Sequence, residues 1–315
     1  MKLIESKVEI IEQQPGLDGV YKQIELAGRT CYKSEDKITE DSAKSFVDRM
    51  IKSKHGAMLE HGTVYLKITY PLNDTLSKEE FDEWFDGHRF DYMLGYALRN
   101  NKYTKTRTVE DDTHETLYIT TNMRVLCTNT FNSLPWSNYI CEPTEHHEKR
   151  ITARFTCDRG VSHEIVRHRV MSFAQESTRY CNYTKDKFDN QITFIIPTWA
   201  NIPEGKYTDW NGDWCDVEKL TVLKPIENDA VDQFLFLCKY AETSYDLMVD
   251  RGAKPQEARQ VLPNATKTEI VVTGFESDWE HFFSLRSPKA GAQGAHPDIA
   301  KLADELYEKL NSVNK

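Results

Sequence analysis

The sequence lacks several features that mark membrane, secreted or nucleotide-binding folds. Its 315 residues contain no uninterrupted apolar run of about 18 residues, the length that a transmembrane helix needs. The first six residues, MKLIES, become charged too early for the apolar part of a secretory signal. No GxGxxG or GxxxxGKS/T motif follows a predicted strand, so neither a Rossmann nor a P-loop site is supported. We therefore expect a soluble, cytoplasmic protein.

Closely spaced cysteine pairs are also missing. The chain has seven cysteines, an odd number, and no CxxC pair. Disulfide frameworks use even numbers and zinc sites use close pairs, so we expect reduced, mostly buried thiols and no metal site. The doublet His146-His147 lies in a charged stretch (residues 145–150), which favours a solvent-exposed face over metal binding.

Basic residues are outnumbered, and the formal net charge is −10. A protein that binds nucleic acid through its phosphates would carry a basic excess or a basic stripe, so no nucleic-acid partner is expected. Any anionic ligand must therefore be held by a local group of arginines. The content of hydrophobic residues, 39%, and of aromatic residues, 11%, is sufficient for a sizeable core.

The hydrophobic periodicity predicts an α+β fold, with a central mixed or antiparallel sheet, flanking helices and a single core. Strands are predicted at residues 3–14, 64–70, 151–156, 192–196 and 270–273. Helices are predicted at residues 40–53, 160–169, 229–250, 255–262, 278–285 and 297–310, with a loop at 55–61. Residues 71–150 are irregular and polar, and we interpret them as a peripheral insertion in one domain that spans residues 1–315.

The densest functional signal is the segment RHRVMSFAQESTRY at residues 167–180. It places three arginines, one histidine and two serines within 14 residues of an acidic chain. Arginine binds phosphate through a planar, permanently charged fork. Taken alone, such a group is as compatible with a surface patch that neighbouring acids neutralise as with an anion site.

The spacing within this segment is more specific than its composition. Arg167-His168-Arg169, followed after seven residues by Ser177, resembles the RHRx7S signature of flavin-dependent thymidylate synthases. Ser172, Arg179 and Tyr180 extend the likeness.

Four further segments are similar to the same family. His55 with Glu60-His61 resembles its HxSxxEH loop, and residues 257–263 (EARQVLP) resemble its helix ending in ARxxLP. Residues 281–286 (HFFSLR) resemble its HFFxLR motif, and residues 28–32 (GRTCY) match an N-terminal family segment. The likeness covers most of residues 1–70 and 150–310.

The resemblance implies reductive methylation of dUMP to dTMP, with FAD as cofactor and with methylenetetrahydrofolate and NADPH as co-substrates. It also implies a homotetramer whose active sites are shared between subunits. No cysteine nucleophile is needed in this family, although Cys181 lies close to the motif. Ser177 has no evident catalytic triad, so we interpret it as a ligand contact and not as a nucleophile.

The resemblance also implies roles for individual residues. Arg286 is the implied catalytic residue, because a guanidinium at the pyrimidine edge would stabilise negative charge there. The candidate dUMP contacts are Glu164, Arg167, Gln175, Glu176, Ser177, Thr178, Arg179, Arg259 and Arg286. The candidate FAD contacts are Cys31, His55, Ala57, Glu60, Arg167, His168, Arg169, Gln175, Phe275 and His281.

Several positions depart from the family pattern. Gln175 stands where many members have Glu, Ala174 where many have Asn, Ala57 where Ser or Thr is usual, and Phe275 where some have a flavin-binding Asn. These departures keep open a second hypothesis, a flavin- or nucleotide-binding relative with impaired catalysis. A third hypothesis, a nucleic-acid-binding module, is disfavoured by the net charge of −10.

Overall fold

The computed structural model describes residues 1–72, 77–128, 134–210, 213–219, 221–222 and 229–313. Its strands, in chain order, are β1 (Lys2–Ile4), β2 (Lys7–Ile11), β3 (Thr63–Pro71), β4 (Lys105–Glu110), β5 (His114–Asn122), β6 (Arg150–Asp158), β7 (Ser172–Gln175), β8 (Thr193–Ile195), β9 (Gly205–Trp210), β10 (Asp213–Asp216), β11 (Thr221–Val222) and β12 (Lys267–Phe275). Its helices are α1 (Gly16–Tyr32), α2 (Ser42–Lys52), α3 (Gly56–Leu59), α4 (Lys78–Arg99), α5 (Met123–Leu126), α6 (Arg159–Ile165), α7 (Asp229–Asp250), α8 (Pro255–Ala258), α9 (Glu276–Arg286) and α10 (Pro297–Val313).

The central sheet is antiparallel and has the strand order β2-β6-β12-β7. Strands β6 and β12 pair along their whole length, from Lys267 opposite Asp158 to Phe275 opposite Arg150. β12 is buried along nearly all of its length, which suits its apolar, β-branched run Ile270-Val271-Val272. Because β7 pairs with the other edge of β12, the sheet brings the C-terminal part of the chain beside the arginine-rich motif.

Two smaller sheets lie beside the central one. One is antiparallel with the order β3-β5-β4, and the other has the order β11-β10-β9-β1-β8, in which only the β1–β8 pair is parallel. The Gln13 side chain donates to the carbonyl oxygen of Thr63 and accepts from its N–H, both at 2.8 Å. The segment after β2 is thereby fixed to the start of β3.

Helix α1 packs on α2 and on strands β7 and β12. Its Gly28 permits the close contact with α2, because a Cβ atom there would lie 2.4 Å from the ring of Phe46. The C-terminal end of α1 is thus held near the motif, and Lys33 ends the helix in the left-handed conformation.

The predicted α+β class, with a central antiparallel sheet flanked by helices, is confirmed. The buried apolar residues around the sheets form three clusters. One includes Ile24, Phe46 and Leu66, a second includes Leu3 and Tyr245, and a third lies between the central sheet and helices α9 and α10. None of the helices in the described ranges has the length and apolarity that a bilayer crossing requires.

Most predicted elements are present, and strands β7, β9, β10 and β11 are additional to them. Several bounds also differ. The strand predicted at residues 3–14 is two strands, because the chain leaves the sheet of β1 after Ile4 and enters the central sheet at Lys7. The helix predicted at 160–169 ends at Ile165, and residues 55–61 include the short helix α3. Helix α1, with 17 residues, was not predicted.

Residues 71–150 contain more regular structure than their composition suggests. The described part of this segment forms α4, β4, β5 and α5, and its Leu94, Leu117 and Ile119 are fully buried beside Ile24 and Leu66. The segment therefore shares a core with the N-terminal residues. Its interpretation as an insertion within a single domain remains a prediction.

Candidate active site

Arg286 lies at the end of α9 and contacts two residues of the segment that begins at α6. Its guanidinium donates to the Oε2 atom of Glu164 at 2.5 Å and, through Nε, to the Nε2 atom of His168 at 3.1 Å. His281 also lies close, with its ring centroid 6.5 Å from that of His168. We call Glu164, His168, His281 and Arg286 the Arg286 cluster. It joins two motifs that are 118 residues apart in the sequence.

The contact with Arg286 defines the protonation state of His168. A nitrogen that accepts from the Arg286 Nε–H cannot carry a proton, so His168 is neutral with its proton on Nδ1. Burial, followed by the charges of Arg286 and His281, lowers the pKa of His168 to about 4. The edge-to-face contact with Phe282, at 4.9 Å between ring centroids, holds the imidazole in place.

The local sequence explains why α6 and α9 begin where they do. The Asp158 side chain accepts from the N–H of Val161 and caps α6. At α9, the Asp278 side chain accepts from the N–H of Phe275 at 2.9 Å. Both caps lie at the ends of β6 and β12, so the central sheet sets the positions of the two helices.

A second group of candidate residues lies at residues 176–180, which we call the Ser177 loop. The N–H of Ser177 donates to the carbonyl oxygen of Cys31 at 3.0 Å, and Arg259 donates to the Oγ1 atom of Thr178 at 3.4 Å. Arg179 lies 5.4 Å from the ring centroid of the adjacent Tyr180. Candidate dUMP residues from two distant segments are therefore neighbours here.

Tyr32 connects the Ser177 loop to the flavin candidate His55. Its ring lies 5.4 Å from that of Tyr180, and its hydroxyl lies 3.1 Å from the Nδ1 atom of His55. Both Tyr180 and His55 are exposed. Cys31 and His55, two candidate FAD residues, are thus placed beside the candidate dUMP residues.

Glu176 is anchored in a buried network of charges. It is 2% exposed; its Oε2 atom pairs with Lys267 at 2.9 Å and its Oε1 atom accepts from the hydroxyl of Tyr183 at 3.2 Å. Lys267 also pairs with Glu269, which accepts from Lys33 at 2.7 Å. Burial would raise the pKa of Glu269, but Lys267 and Lys33 hold it at about 2. The role of Glu176 as a dUMP contact stays a prediction, and its carboxylate already has two partners.

Gln175 likewise has structural partners. Its side-chain amide donates to the Oγ of Ser162 at 2.8 Å and to the Oγ1 of Thr268 at 3.2 Å. These bonds tie β7 to α6 and β12. The side-chain oxygen of Gln175 has no hydrogen-bond donor among the described residues.

Four candidate arginines are exposed, namely Arg167, Arg169, Arg179 and Arg259. Within the described ranges, none of them forms an ion pair with a carboxylate. By contrast, Arg286 pairs with Glu164. Exposed guanidinium groups without acidic neighbours are available to an anionic ligand.

Glu60 and Phe275 line a common pocket of about 280 Å³, together with Val170 and Ser172 of the motif. We call it the Phe275 pocket. Arg124 donates to Glu60 at its edge. Ala57 is exposed on α3, and the structure leaves its predicted role open. A larger cavity, of about 1030 Å³, lies between β2 and α10 and is lined by none of the candidate residues.

Cys181 directly follows the arginine-rich motif. Cys181 is fully buried, and burial together with the charge of Glu176 raises the pKa of its thiol to about 12. Such a thiol is a poor nucleophile at neutral pH. Among the described residues, no group of three or more His, Cys, Asp or Glu side chains is arranged to hold a metal ion.

The family of the chain is shown by comparison with known sequences. The family model described as thymidylate synthase complementing protein matches residues 136–314, which is more than half of the 315 residues. The chain belongs to this family. The matched region includes the arginine-rich motif, Arg259 and Arg286.

Individual relatives match a shorter part. The flavin-dependent thymidylate synthases of Pyrococcus furiosus and Geobacter sulfurreducens are 28% identical over 154 and 155 residues, 49% of this chain and 51% and 53% of theirs. That of Mycobacterium avium is 29% identical over 163 residues, 49% of this chain and 54% of its own. The chain spans about half the length of the curated relatives it matches.

A solved structure is similar along nearly the whole chain. It is the UMP/dUMP methylase PolB from Streptomyces cacaoi bound with 5-Br dUMP, which is 17% identical and has a TM-score of 0.42. The alignment covers 99% of this chain and 93% of that chain. At this score the likeness supports no functional assignment.

Sequence reasoning did not find three residues that shape the site. Tyr32, the last residue of the GRTCY segment, has no role implied by the resemblance, whereas Lys267 and Arg124 lie in no motif. Lys267 fixes Glu176 and Arg124 pairs with Glu60. Lys267 and Arg124 are identified by ion pairs with distant residues, and Tyr32 by its contacts with Tyr180 and His55. The spacing within a single sequence does not contain that information.

Proposed function

We propose that this chain is a flavin-dependent thymidylate synthase that converts dUMP to dTMP. Membership of the family supports the assignment, and the contact between Arg286 and His168 is the observation that carries it. That contact joins the two motifs whose residues the reaction would need in one place. The arrangement fixes a guanidinium beside a neutral imidazole before any substrate binds.

In this proposal Arg286 faces the pyrimidine ring of dUMP and is the catalytic residue. Its charge stabilises the negative charge that develops on the ring when C5 becomes nucleophilic. Glu164 and His168 hold the guanidinium through two bonds, so little reorganisation is needed when the charge forms. Because the Cys181 thiol is buried with a raised pKa, activation by addition of a cysteine to the ring is not part of the proposal.

The phosphate of dUMP is assigned to Arg179 and Arg259, with Arg167 reaching toward the nucleotide. Arg259 already contacts Thr178, and Ser177 is held by the main chain of Cys31. These contacts place hydroxyl groups beside guanidinium groups that have no acidic partner in the described ranges. Glu176 and Gln175 remain proposed contacts of dUMP, and their internal partners also hold the loop in place.

FAD is assigned to the surface between His55, the Phe275 pocket and the Arg286 cluster. When bound, it would supply the hydride chemistry, with NADPH and methylenetetrahydrofolate as co-substrates. Glu60, Phe275 and Val170 line a pocket, and His168, Arg169 and His281 are the polar residues assigned to the same cofactor. The residues fit such a group in part, because Ala57 lacks the hydroxyl of the family pattern.

We also propose a homotetramer with shared active sites. Among the described residues, no hydrogen bond or ion pair joins Arg179 or Arg259 directly to Arg286, His168 or Glu164. A site completed by neighbouring subunits would bring these groups to one ligand.

The second hypothesis is a catalytically impaired relative that binds flavin or nucleotide. Two observations favour keeping it, namely the engaged amide of Gln175 and the alanine at position 57. It predicts cofactor binding without formation of dTMP.

An absorption spectrum and a turnover assay distinguish these alternatives. The proposed enzyme should be purified as a yellow protein that NADPH bleaches, and it should form dTMP from dUMP and methylenetetrahydrofolate. A yellow protein without dTMP formation would indicate the impaired relative. A colourless protein that neither binds FAD nor forms dTMP would exclude both.

A further inference from the structure

A cavity outside the proposed active site runs along the edge of the central sheet. It has a volume of about 1030 Å³ and lies between β2, one face of α9 and the end of α10. We call it the β2 cavity. Its apolar lining includes Ile10, Val64, Ile140, Phe283 and Leu310. This volume is at the upper limit of the range of about 300–1,000 Å³ that holds small ligands, which indicates a larger occupant.

The cavity follows the open edge of β2. Side chains alternate between the two faces of a strand, yet Glu9, Ile10 and Ile11 all line the cavity. A cavity that touches consecutive residues lies along the edge of the strand and not over one face. In the central sheet β2 pairs with β6 alone, so none of the described strands covers this edge.

The main chain of β2 is oriented to pair with a further strand. Lys309 donates to the carbonyl oxygen of Val8 at 2.5 Å from outside the sheet, so Val8 directs its carbonyl to the open edge. Orientation alternates along an antiparallel strand, and Ile10 therefore also directs its N–H and C=O outward, on the side of the cavity. An unpaired edge of this kind is a template for an extended segment of another chain.

Carboxylates without partners surround the opening of the cavity. Glu12, Glu142, Glu276 and Glu280 line it and are exposed, and within the described ranges their carboxylates form no hydrogen bond and no ion pair. Glu276 and Glu280 are one turn apart on α9, a spacing at which like charges destabilise a helix. A cationic group of a ligand would relieve this repulsion.

The basic residues of the lining compensate these acids only in part. Lys309 is already paired with Glu305 at 2.6 Å, and Arg150 is half-buried. Among the described lining residues, Lys149 is therefore the one exposed and unpaired cation against four carboxylates. The opening favours a cationic ligand. A second copy of this chain, with a net charge of −10, is a less suitable occupant than a basic segment of another protein.

The wall of the cavity also contains a hydrogen-bond donor that lacks an acceptor. Arg150 lines both the β2 cavity and the Phe275 pocket. Its Nε atom is buried without a partner in the described ranges, although another of its nitrogens donates to the Oγ1 atom of Thr63 at 3.3 Å. A buried donor without an acceptor costs free energy, and a main-chain carbonyl of a ligand would remove that cost.

We propose that the β2 cavity binds an extended, basic and apolar peptide segment of a partner protein, which adds a strand to the central sheet at β2. Its main chain pairs with Ile10, its apolar side chains fill the interior, and its lysine or arginine side chains meet Glu276 and Glu280. A polypeptide offers all three kinds of group at once, together with carbonyl acceptors for Arg150. The inference goes beyond the proposed function, because the cavity contains none of the residues assigned to dUMP or FAD.

Fluorescence anisotropy of labelled peptides with the full chain tests the proposal. The probe is the peptide Lys-Leu-Val-Leu-Lys with a neutral fluorophore, and it should bind saturably. The charge-reversed peptide Glu-Leu-Val-Leu-Glu should bind at least about tenfold more weakly, because it meets the carboxylates with like charge. Lys-Leu-Pro-Leu-Lys, which lacks the central main-chain donor, should also lose affinity by about tenfold.

Two pairs of substitutions separate a local site from general attraction to an acidic chain. Glu276→Gln combined with Glu280→Gln removes two carboxylates at the opening and should raise the Kd of the probe by about tenfold. Glu79→Gln combined with Glu83→Gln removes two exposed carboxylates of α4 at the same helical spacing and outside the lining, and should leave the Kd unchanged. Leu310→Trp, which fills part of the interior, should also weaken binding. Circular dichroism of each variant confirms that it is folded.

The outcomes are distinct. If both pairs of substitutions weaken binding of the probe equally, the peptide responds to net charge and the proposed site is wrong. If the proline peptide binds as tightly as the probe, pairing with β2 is wrong. A lack of saturable binding of the probe to the unmodified chain overturns the proposal as a whole. Formation of dTMP is measured separately, so failure of the proposed function would leave this test unaffected.

Discussion

Arg286 and Arg179 are both candidate site residues, but they differ in exposure and in the partners of their side chains. The Arg286 side chain is 21% exposed and is held by Glu164 and His168. Arg179 is exposed, and its described side-chain contact is with the ring of Tyr180. An arginine with fixed partners has a defined geometry before a ligand arrives, as transition-state stabilisation requires. An arginine without an acidic partner retains its charge for an anion.

Among the substitutions that test this comparison, removal of Arg286 should have the largest effect, and that effect should be on dTMP formation. We expect Arg286→Ala to fold and to retain its flavin but to lose dTMP formation by at least about 10²-fold, because a preorganised charge is lost. The initial rate of dTMP formation and the flavin absorption measure the two effects. Arg251→Ala, at an exposed arginine beyond α7, is the control. Normal turnover of Arg286→Ala would exclude the assigned role.

Removal of Arg179 should affect binding and not the chemical step. We expect Arg179→Ala to raise the Kd of dUMP by about 10- to 100-fold, since a hydrogen bond to a charged group contributes about 1.5–3 kcal/mol. Isothermal titration measures this change. Deoxyuridine, which has no phosphate, should bind both proteins equally. An unchanged affinity for dUMP would remove Arg179 from the phosphate site.

The neutral state of His168 should appear in the pH dependence of stability. Its pKa of about 4 lies below the ordinary value of 6.5, so the unfolded chain binds more protons between these values. Stability therefore decreases as the pH falls through this range, and His168 accounts for about 2 kcal/mol between pH 7 and pH 5.

Urea denaturation at these two pH values tests the assignment. His168→Gln should lose about 2 kcal/mol less than the unmodified chain when the pH is lowered, since glutamine does not titrate. His61, whose pKa burial lowers to about 3, contributes in the same direction and remains in both proteins. If lowering the pH destabilised both proteins equally, the lowered pKa assigned to His168 would be wrong.

The smallest effect is expected at Cys181. Because its thiol is buried with a raised pKa, Cys181→Ser should form dTMP at the rate of the unmodified chain. Cys181→Ala controls for the hydroxyl that the serine buries. Complete loss of turnover in both folded variants would reopen covalent activation by a thiolate.

The sequence was sufficient to predict a helix or strand where a single hydrophobic pattern determines that element. Helix α7 has the predicted bounds because its stripe of Val231, Leu235, Cys238 and Tyr245 is buried as a unit. The interior of β12 was found for a similar reason, since its apolar residues are buried without interruption.

Helix α1 was missed because charged residues occupy buried positions. Glu25 and Arg29 are buried and pair with each other at 2.9 Å. These two charged residues interrupt the apolar pattern of the sequence, but each neutralises the charge of the other inside the protein. The same limitation applies to the site. The motif located Arg286 and His168, but the pairs Lys267–Glu176 and Arg124–Glu60 depend on tertiary structure.

Strand β12 restricts where residues can be inserted or deleted in the sequence. Lys267, at its first position, immobilises the loop that carries Ser177, and Phe275, at its last, starts the helix that ends with Arg286. At about 3.4 Å per residue, the strand sets these two attachment points roughly 27 Å apart. Loss or gain of one residue within it would turn every following side chain to the opposite face. We therefore expect natural insertions and deletions to lie in the flanking loops, and β12 to keep a constant length among relatives.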